Sequence, residues 1–205
     1  HAGVLAPPGN DAVTASVLQR LAAGEQIVGV EVECRRKDGS SFPALLTASP
    51  MLDEHGTVAG SSAILHDITE LKRAQQEVAH LFDLTPDLIA IIAADGRFRQ
   101  VNAAWTRTLG FGVDELRGRP FADLLHPEDV AVSAEMFRRT LAGEEIAPFF
   151  NRQRTRNGEY RSIEWRGRLD GTSGLVFAVG RDQTDQLLLE RQLNQAQKME
   201  AVGRL

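Results

Sequence analysis

The chain repeats itself at a long and nearly constant interval. Gly24-Glu25-Gln26-Ile27 returns as Gly143-Glu144-Glu145-Ile146, an offset of 119 (143 − 24), and Lys37-Asp38-Gly39 returns as Arg156-Asn157-Gly158 at the same offset. Leu5 and Pro8 map onto Leu124 and Pro127 in the same way. Asp67 and Thr69 then map onto Asp182 and Thr184 at an offset of 115 (182 − 67), so four residues drop out of one loop between. Asp53-Glu54-His55-Gly56 against Asp170-Gly171 is where that shortening belongs. Solenoid repeats run about 20–45 residues, so this period is a domain duplication instead. Residues 83–123 have no counterpart before His1. The first copy is therefore expected to be partial and the chain a fragment, with any upstream membrane anchor left open.

The first copy opens with a turn at Pro7-Pro8-Gly9-Asn10-Asp11 and an apolar-periodic helix (Val13, Val17, Leu18, Leu21) stopped by Gly24. Val28, Val30, Val32 and Cys34 alternate with Gly29, Glu31, Glu33 and Arg35, the pattern of a half-buried strand. Asp38-Gly39 reads as a type I′ hairpin turn, Phe42 to Ser49 pairs back, Glu54-His55-Gly56 turns again, and Val58 to Leu65 forms a third strand. A helix follows over 67–82, with Asp67 and Glu70 at capping-box spacing. Its positions Ile68, Leu71, Gln75, Val78 and Phe82 are spaced 3, 4, 3, 4, an a/d seam that favours a coil between two chains, the alternative being a linker helix lying on its own sheet.

The second copy predicts strands at Leu88–Ala93 and Phe98–Val101 around another Asp-Gly hairpin, and Asn102 capping a short helix that carries Trp105 and ends at Gly110. Short turns lie at Val113–Leu116 and Phe121–Leu125. His126-Pro127-Glu128-Asp129 starts a longer helix with Val130, Ala134, Phe137 and Leu141 on one face. Strands at Phe149–Thr155, Tyr160–Leu169 and Leu175–Arg181 close the unit. Two strands, several helices and three strands argue for an α+β fold: a five-stranded antiparallel sheet with its helices on one face. Asp182 then caps a second helix, as Asp67 caps the first, so a sheet hands directly to a helix twice. That layout suits a relay better than a reaction centre.

No catalytic or metal-binding motif is present: there is no Walker-type loop, no G-x-G-x-x-G, no H-E-x-x-H and no Cys-x-x-Cys. A net charge of −5 gives no general reason to expect nucleic acid. The run Arg152, Arg154, Arg156, Arg161, Arg166, Arg168 alternates with Glu159 and Glu164 nearby, a solvated or partner-facing sheet surface. The one cysteine, Cys34, excludes an internal disulfide and fits a reducing compartment. The longest apolar run, Leu88 to Ala94, is far short of a membrane span.

Taken together, Val101-Asn102 before the Trp105 helix, Leu109-Gly110-Phe111, Leu125-His126-Pro127-Glu128-Asp129, Asn157-Gly158-Glu159-Tyr160, Lys37-Asp38-Gly39-Ser40 and the terminal Asp-x-Thr resemble the PAS domains. Residues 76–185 resemble a complete PAS domain and 1–70 the C-terminal half of another. The second junction departs from the usual pattern in having Gln183 where Ile or Val is common. Residues 186–205, with Lys198-Met199-Glu200-Ala201-Val202-Gly203, resemble the start of the dimerisation helix of a sensor histidine kinase, whose phosphoacceptor histidine would lie beyond Leu205. The resemblance implies a cytoplasmic homodimeric sensory module of a two-component system, with a response regulator as partner of the full-length protein. A different output domain, such as a cyclic-dinucleotide synthase, and a pure interaction module are the rival readings. Haem and flavin are disfavoured. His126 sits at a helix start where a polar residue is expected anyway, and Cys34 lies on the inner face of a strand.

One difference between the copies points to a ligand site. At offset 119 the inward positions Val30, Val32 and Cys34 become Phe149, Asn151 and Gln153. Buried amides need partners, so Asn151 and Gln153 are expected to line a small polar cavity with Trp165, Ile163, Met136 and Phe149, holding a small molecule or ordered water. Hydrogen bonds to the helix backbone are the alternative. The signal would leave through Asp182, Gln183 and Thr184, as through Asp67 and Thr69 in the first copy. The apolar positions Leu189, Leu193, Ala196, Met199, Val202 and Leu205 of the last helix are spaced 4, 3, 3, 3, 3, a seam that drifts around the helix.

Overall fold

The computed structural model describes residues 11–203, with side chains over 15–199. Leu5, the turn expected at 7–10, the side chains of Val13 and Val202, and Leu205 lie outside the described residues. The chain divides into two compact units between Val78 and Ala79. Among the described residues no helix is long and apolar enough to cross a membrane.

In the first unit, helix α1 (Asp11–Ala22) is followed by strands β1 (Ile27–Arg35), β2 (Ser41–Leu52) and β3 (Val58–Asp67) in the antiparallel order β1-β2-β3. The core gathers Leu21, Ile27, Leu46 and Ala48, with Val17, Val30, Val32 and Leu65 against them. The alternation expected from Val28 fails at its first member. A bulge between Ile27 and Val30, with Gly29 at φ 67°, turns Val28 out to solvent and buries Ile27 in its place. A bulge adds one residue to one strand, and only a residue that tolerates positive φ fits there cheaply.

Helix α2 (Thr69–Leu84) starts in the first unit and ends in the second. None of its residues is buried, and Leu71 and Val78 of the expected seam lie in solvent. Glu70 pairs with Arg73 rather than closing a capping box.

The second unit continues with β4 (Leu88–Ile92), β5 (Phe98–Val101), α3 (Ala104–Leu109), α4 (Val113–Leu116), 3-10 turns at Phe121–Leu124 and Pro127–Asp129, α5 (Val130–Leu141), β6 (Phe149–Arg154), β7 (Tyr160–Asp170), β8 (Leu175–Asp182) and α6 (Thr184–Gly203). Its five strands run antiparallel in the order β5-β4-β8-β7-β6. One face is covered: Leu88, Ala90, Val176, Ala178, Ile163 and Trp165 pack against Trp105, Leu109, Leu116 and Leu124. On the other face Phe177 and Val179 stay exposed.

The repeat reappears in the strand register. Val30↔Leu46 and Val32↔Ala44 in β1–β2 correspond to Phe149↔Trp165 and Asn151↔Ile163 in β6–β7. Ala44↔Asp67 and Leu46↔Leu65 correspond to Ile163↔Asp182 and Trp165↔Gly180. The hairpin arms from Ala48 to Ala63 and from Gly167 to Ala178 differ by four residues, which places the deletion in the loop the sequence indicated.

Four hairpins share one turn, and it is not type I′. At 36–40, 53–57, 93–97 and 155–159 the first residue's N–H donates to the fifth residue's carbonyl and the fourth, a glycine, donates back to the first. Only that glycine has positive φ, 89° at Gly39 and 91° at Gly158, while Asp38 does not. This is a type I turn closed by a left-handed glycine. The Asp38 carboxylate takes the Ser40 N–H instead of adopting positive φ itself.

Asn102 does not cap α3. It is fully buried, accepting from Ile89 N–H through Oδ1 and donating through Nδ2 to the carbonyls of Phe82 and Asp87. Arg107 takes the Asp83 and Thr85 carbonyls, so these two side chains satisfy the free end of α2. The Ala103 N–H at the start of α3 is met by Asp83 Oδ1. The α5 face also differs from the apolar periodicity. Ser133, Phe137 and Thr140 point inward, and Ala134 is exposed.

Candidate functional site

Between the sheet and α5 of the second unit lies a cavity of about 60 Å³. Asn151, Gln153, Trp165 and Phe149 line it, as the comparison of the two copies predicts, and so do Ser133 and Thr140. Ile163 and Met136 do not. Ile163 is fully buried in the core beside it, and Met136 lies off the inward face of α5, its carbonyl accepting from the Thr140 hydroxyl. Ser133 and Thr140 were invisible to a search for apolar spacing because they are the polar residues on a face that apolar periodicity assigns elsewhere. The signal for them was Asn151 itself, since a buried amide calls for a polar group opposite.

The polar side chains form one network. The Trp165 indole N–H donates to Asn151 Oδ1 at 2.8 Å, Gln153 Nε2 donates to the same oxygen at 3.1 Å, and Asn151 Nδ2 donates to Ser133 Oγ at 3.0 Å. Gln153 Oε1 is buried with no partner, the one such side-chain atom among the described residues. Around the network stand aromatic rings. Trp105 and Trp165 have centroids 5.9 Å apart, Phe98 meets Trp105 edge-on at 4.9 Å, and Phe121 meets Phe137 at 5.0 Å.

Trp165 links this cavity to the end of the sheet. It pairs with Gly180 in register, and a Cβ on Gly180 would lie 2.7 Å from two carbons of the Trp165 ring and 2.8 Å from Ile163 Cγ2. Only glycine leaves the indole room to lie over β8.

Two residues beyond Gly180 the strand ends in a clasp. Asp182 Oδ1 accepts from the Thr184 N–H at 2.9 Å and from its hydroxyl at 2.5 Å, and Arg161 holds Oδ2 at 3.1 Å. Gln183 supplies the first helical carbonyl, to Leu187 N–H, and gives its own N–H to the Ser162 carbonyl. Thr184 Oγ1 in turn accepts from the Ser162 N–H at 2.9 Å, and Gln183 Nε2 reaches Glu164 at 3.2 Å. Asp182 therefore sits one residue before the cap and still satisfies the first free N–H of α6.

The first unit carries the same clasp. Asp67 Oδ1 takes the Thr69 N–H at 2.9 Å and its hydroxyl at 2.5 Å, Arg36 holds Oδ2, and the Ile68 N–H donates to the Pro43 carbonyl. Pro43 stands where Ser162 stands in the second unit and has no N–H to give Thr69. The Thr69 hydroxyl and N–H, with Arg36, hold the Asp67 carboxyl down at about 2.

The remaining candidates lie elsewhere. His126 Nδ1 accepts from Glu128 N–H at the start of the turn before α5, its ring 4.6 Å from that of Tyr160. Arg152 bridges Asp129 and Glu128, holding both carboxyls below their ordinary range, and Arg156 pairs with Glu115. Cys34 is a buried free thiol, pushed up by burial and by Asp67. Among the described residues no group of His, Cys, Asp and Glu side chains has metal-binding proximity.

Comparison with known proteins meets this geometry at the level of the fold. A family profile described as the PAS fold matches residues 82–187, and one described as a PAS domain matches residues 7–70. No curated protein matches the chain. Among solved structures, a domain of the sensory box sensor histidine kinase/response regulator from Geobacter sulfurreducens is similar over 56% of this chain and 99% of its own, at 25% identity and TM-score 0.48. The PAS domain of an HTR-like protein from Haloarcula marismortui is similar over 55% and 94%, at 25% identity and TM-score 0.47. The PAS domain of a protein from Colwellia psychrerythraea is similar over 55% and 98%, at 17% identity and TM-score 0.48. With the first profile spanning more than half its length, the chain belongs to the PAS-fold family.

Proposed function

We propose that the chain is the sensory part of a cytoplasmic two-component histidine kinase, built from two PAS units in tandem. The second unit takes a small molecule in its cavity and relays occupancy into α6. The observation that carries the reading is the double role of Trp165. Its N–H is held by Asn151 inside the cavity, and its ring lies on Gly180, two residues before the Asp182–Thr184 clasp. A ligand that presses the indole toward Gly180 pushes on β8, because the ring already fills the space that a Cβ there would need. Only a differential affinity for the two arrangements shifts their populations, and a cavity contact made through Trp165 provides one.

The output is read from sequence. Residues 186–205 resemble the start of a kinase dimerisation helix, and the exposed leucines Leu189 and Leu193 of α6, like Leu71 and Val78 of α2, are apolar side chains suited to a two-chain coil. In the homodimer this implies, the drifting seam of α6 supports two registers, and the clasp biases the choice between them. A response regulator would then receive the phosphoryl group. The test is Asp182→Ala in the full-length kinase. Autophosphorylation is expected to lose its dependence on the stimulus while the second unit stays folded. Regulation that persists unchanged contradicts the relay.

A further inference from the structure

Antiparallel strands alternate between residue pairs that exchange backbone hydrogen bonds and pairs that exchange none, so one bond fixes the whole ladder. In the first unit the Ile68 N–H donates to the Pro43 carbonyl, one pair beyond Ala44↔Asp67. Ser62, Ile64 and His66 therefore bond to β2. The N–H and C=O groups of Ser61, Ala63 and Leu65 point to the other side, where the described residues supply no strand. In the second unit the Gln183 N–H donates to the Ser162 carbonyl in the corresponding place, so Val176, Ala178 and Gly180 turn their backbone groups away from β7. There β4 receives them, with Ile92↔Val176, Ala90↔Ala178 and Leu88↔Gly180 in register. At the offset of 115 (176 − 61) these three are the counterparts of Ser61, Ala63 and Leu65. Val176, Ala178 and Gly180 are buried, whereas Ser61 and Ala63 are exposed.

β3 is also a sheet edge without a guard. Bare edges pair with other chains unless charge, proline, a bulge or shortness prevents it. β1, the opposite edge of the same sheet, has a bulge between Ile27 and Val30 and carries Glu31, Glu33 and Arg35. In the second unit β5 is four residues long and contains Arg99, and β6 contains Arg152 and Arg154. From Ala59 to Leu65 β3 has no charge and no proline, and its one irregularity lies between Val58 and Gly60. We infer that the free edge of β3 is a strand acceptor for an extended, uncharged peptide segment from outside the described residues, running antiparallel against Ser61, Ala63 and Leu65. Its alternate side chains on the inner face are apolar, as Leu88, Ala90 and Ile92 are in β4. One on the outer face packs on Ile64, which is 70% exposed and is the counterpart of Val179, the residue opposite Ile89. β4 itself does not serve, because β5 and β8 hold both of its edges. This surface is separate from the cavity of the second unit and goes beyond the sensing role proposed above.

The probe is a peptide of the β4 sequence, residues 88–93, flanked by lysines for solubility and added to the ¹⁵N-labelled chain. In the free chain the amides of Ser62 and Ile64 are expected to exchange slowly and those of Ser61, Ala63 and Leu65 fast. The peptide is expected to shift the β3 peaks saturably and, when bound, to slow exchange at 61, 63 and 65 by about tenfold. Ala63→Pro deletes one outward N–H and no bond to β2, so it should weaken binding by about tenfold while Ser62 and Ile64 stay slow. The same peptide carrying Leu88→Ser and Ile92→Ser should bind about tenfold more weakly to the wild-type chain, a comparison that holds even where the proline variant unfolds the sheet. The inference is overturned by the absence of a saturable shift, by equal binding of the serine peptide, or by undiminished binding to an Ala63→Pro chain whose Ser62 and Ile64 remain slow. A dimer of the free chain that Ala63→Pro dissociates, seen by sedimentation, also overturns it, since the edge then belongs to a second copy.

Discussion

At the centre of each sheet the two units solve the same packing problem with opposite shapes. In the first, Leu46 faces Leu65 across β2–β3, and in the second the equivalent positions hold Trp165 and Gly180. Two medium side chains fill the space locally. A large one over an empty position sets the indole directly against the strand backbone. The inward strand differs in the same sense: Val30, Val32 and Cys34 form an apolar face, whereas Phe149, Asn151 and Gln153 carry a polar network with an unpaired oxygen. The clasps at the exits are nearly identical in their Asp-to-Thr hydrogen bonds, and on the relay proposed above the units differ in what feeds them.

The contrast is broken most sharply at Gly180. Gly180→Ala places a methyl 2.7 Å from the Trp165 ring and is expected to destabilise the second unit by about 3 kcal/mol. Denaturation followed by tryptophan fluorescence reads that unit alone, since both tryptophans are in it. Leu65→Ala, at the corresponding and only partly buried position, should cost about 1 kcal/mol and leave that fluorescence curve unmoved. Next, the two amides should behave oppositely. Asn151→Val strands the Trp165 N–H and should cost about 2 kcal/mol, whereas Gln153→Met removes the orphaned oxygen and should stabilise by about 1 kcal/mol in the same assay.

At the exits the difference is smaller. Asp182→Ala should weaken the start of α6 by about 1 kcal/mol, seen as faster amide exchange at 184–187. Asp67→Ala should have a weaker effect at 69–72, because Pro43 contributes no N–H to that clasp. The smallest effect is the titration of Asp67. Its folded value, about 2, lies below the ordinary 3.8, so the clasp is intact above about pH 4 and loosens as pH falls through about 2. A carboxyl carbon titration with a midpoint near 3.8 would contradict the hydrogen bonding described.

The repeat was the most legible part of the sequence, and it carried further than element prediction. Its two offsets reappear residue for residue in the strand register, because register in a half-buried sheet is fixed by side-chain alternation and loop length. Hairpin chemistry was misread: Asp-Gly suits a type I′ turn, but Asp38 uses its carboxylate to close a type I turn and leaves positive φ to Gly39. Asn102 looked like a helix cap because capping residues and buried stitching residues are the same residue types. The cavity was half visible. Asn151 and Gln153 stood out against Val32 and Cys34, whereas Ser133, Thr140 and Gly180 carry no local signal. Their roles come from facing Asn151 and Trp165 across elements distant in sequence.

The central claim is that the cavity and α6 are joined through Trp165, Gly180 and Asp182, and backbone amide shifts in Asn151→Val test it most directly. Freeing the indole is predicted to move the amide peaks of residues 180–187 while leaving those of 69–75, at the clasp of the first unit, where they were. Shifts confined to the neighbourhood of residue 165, with 180–187 unchanged, would contradict it.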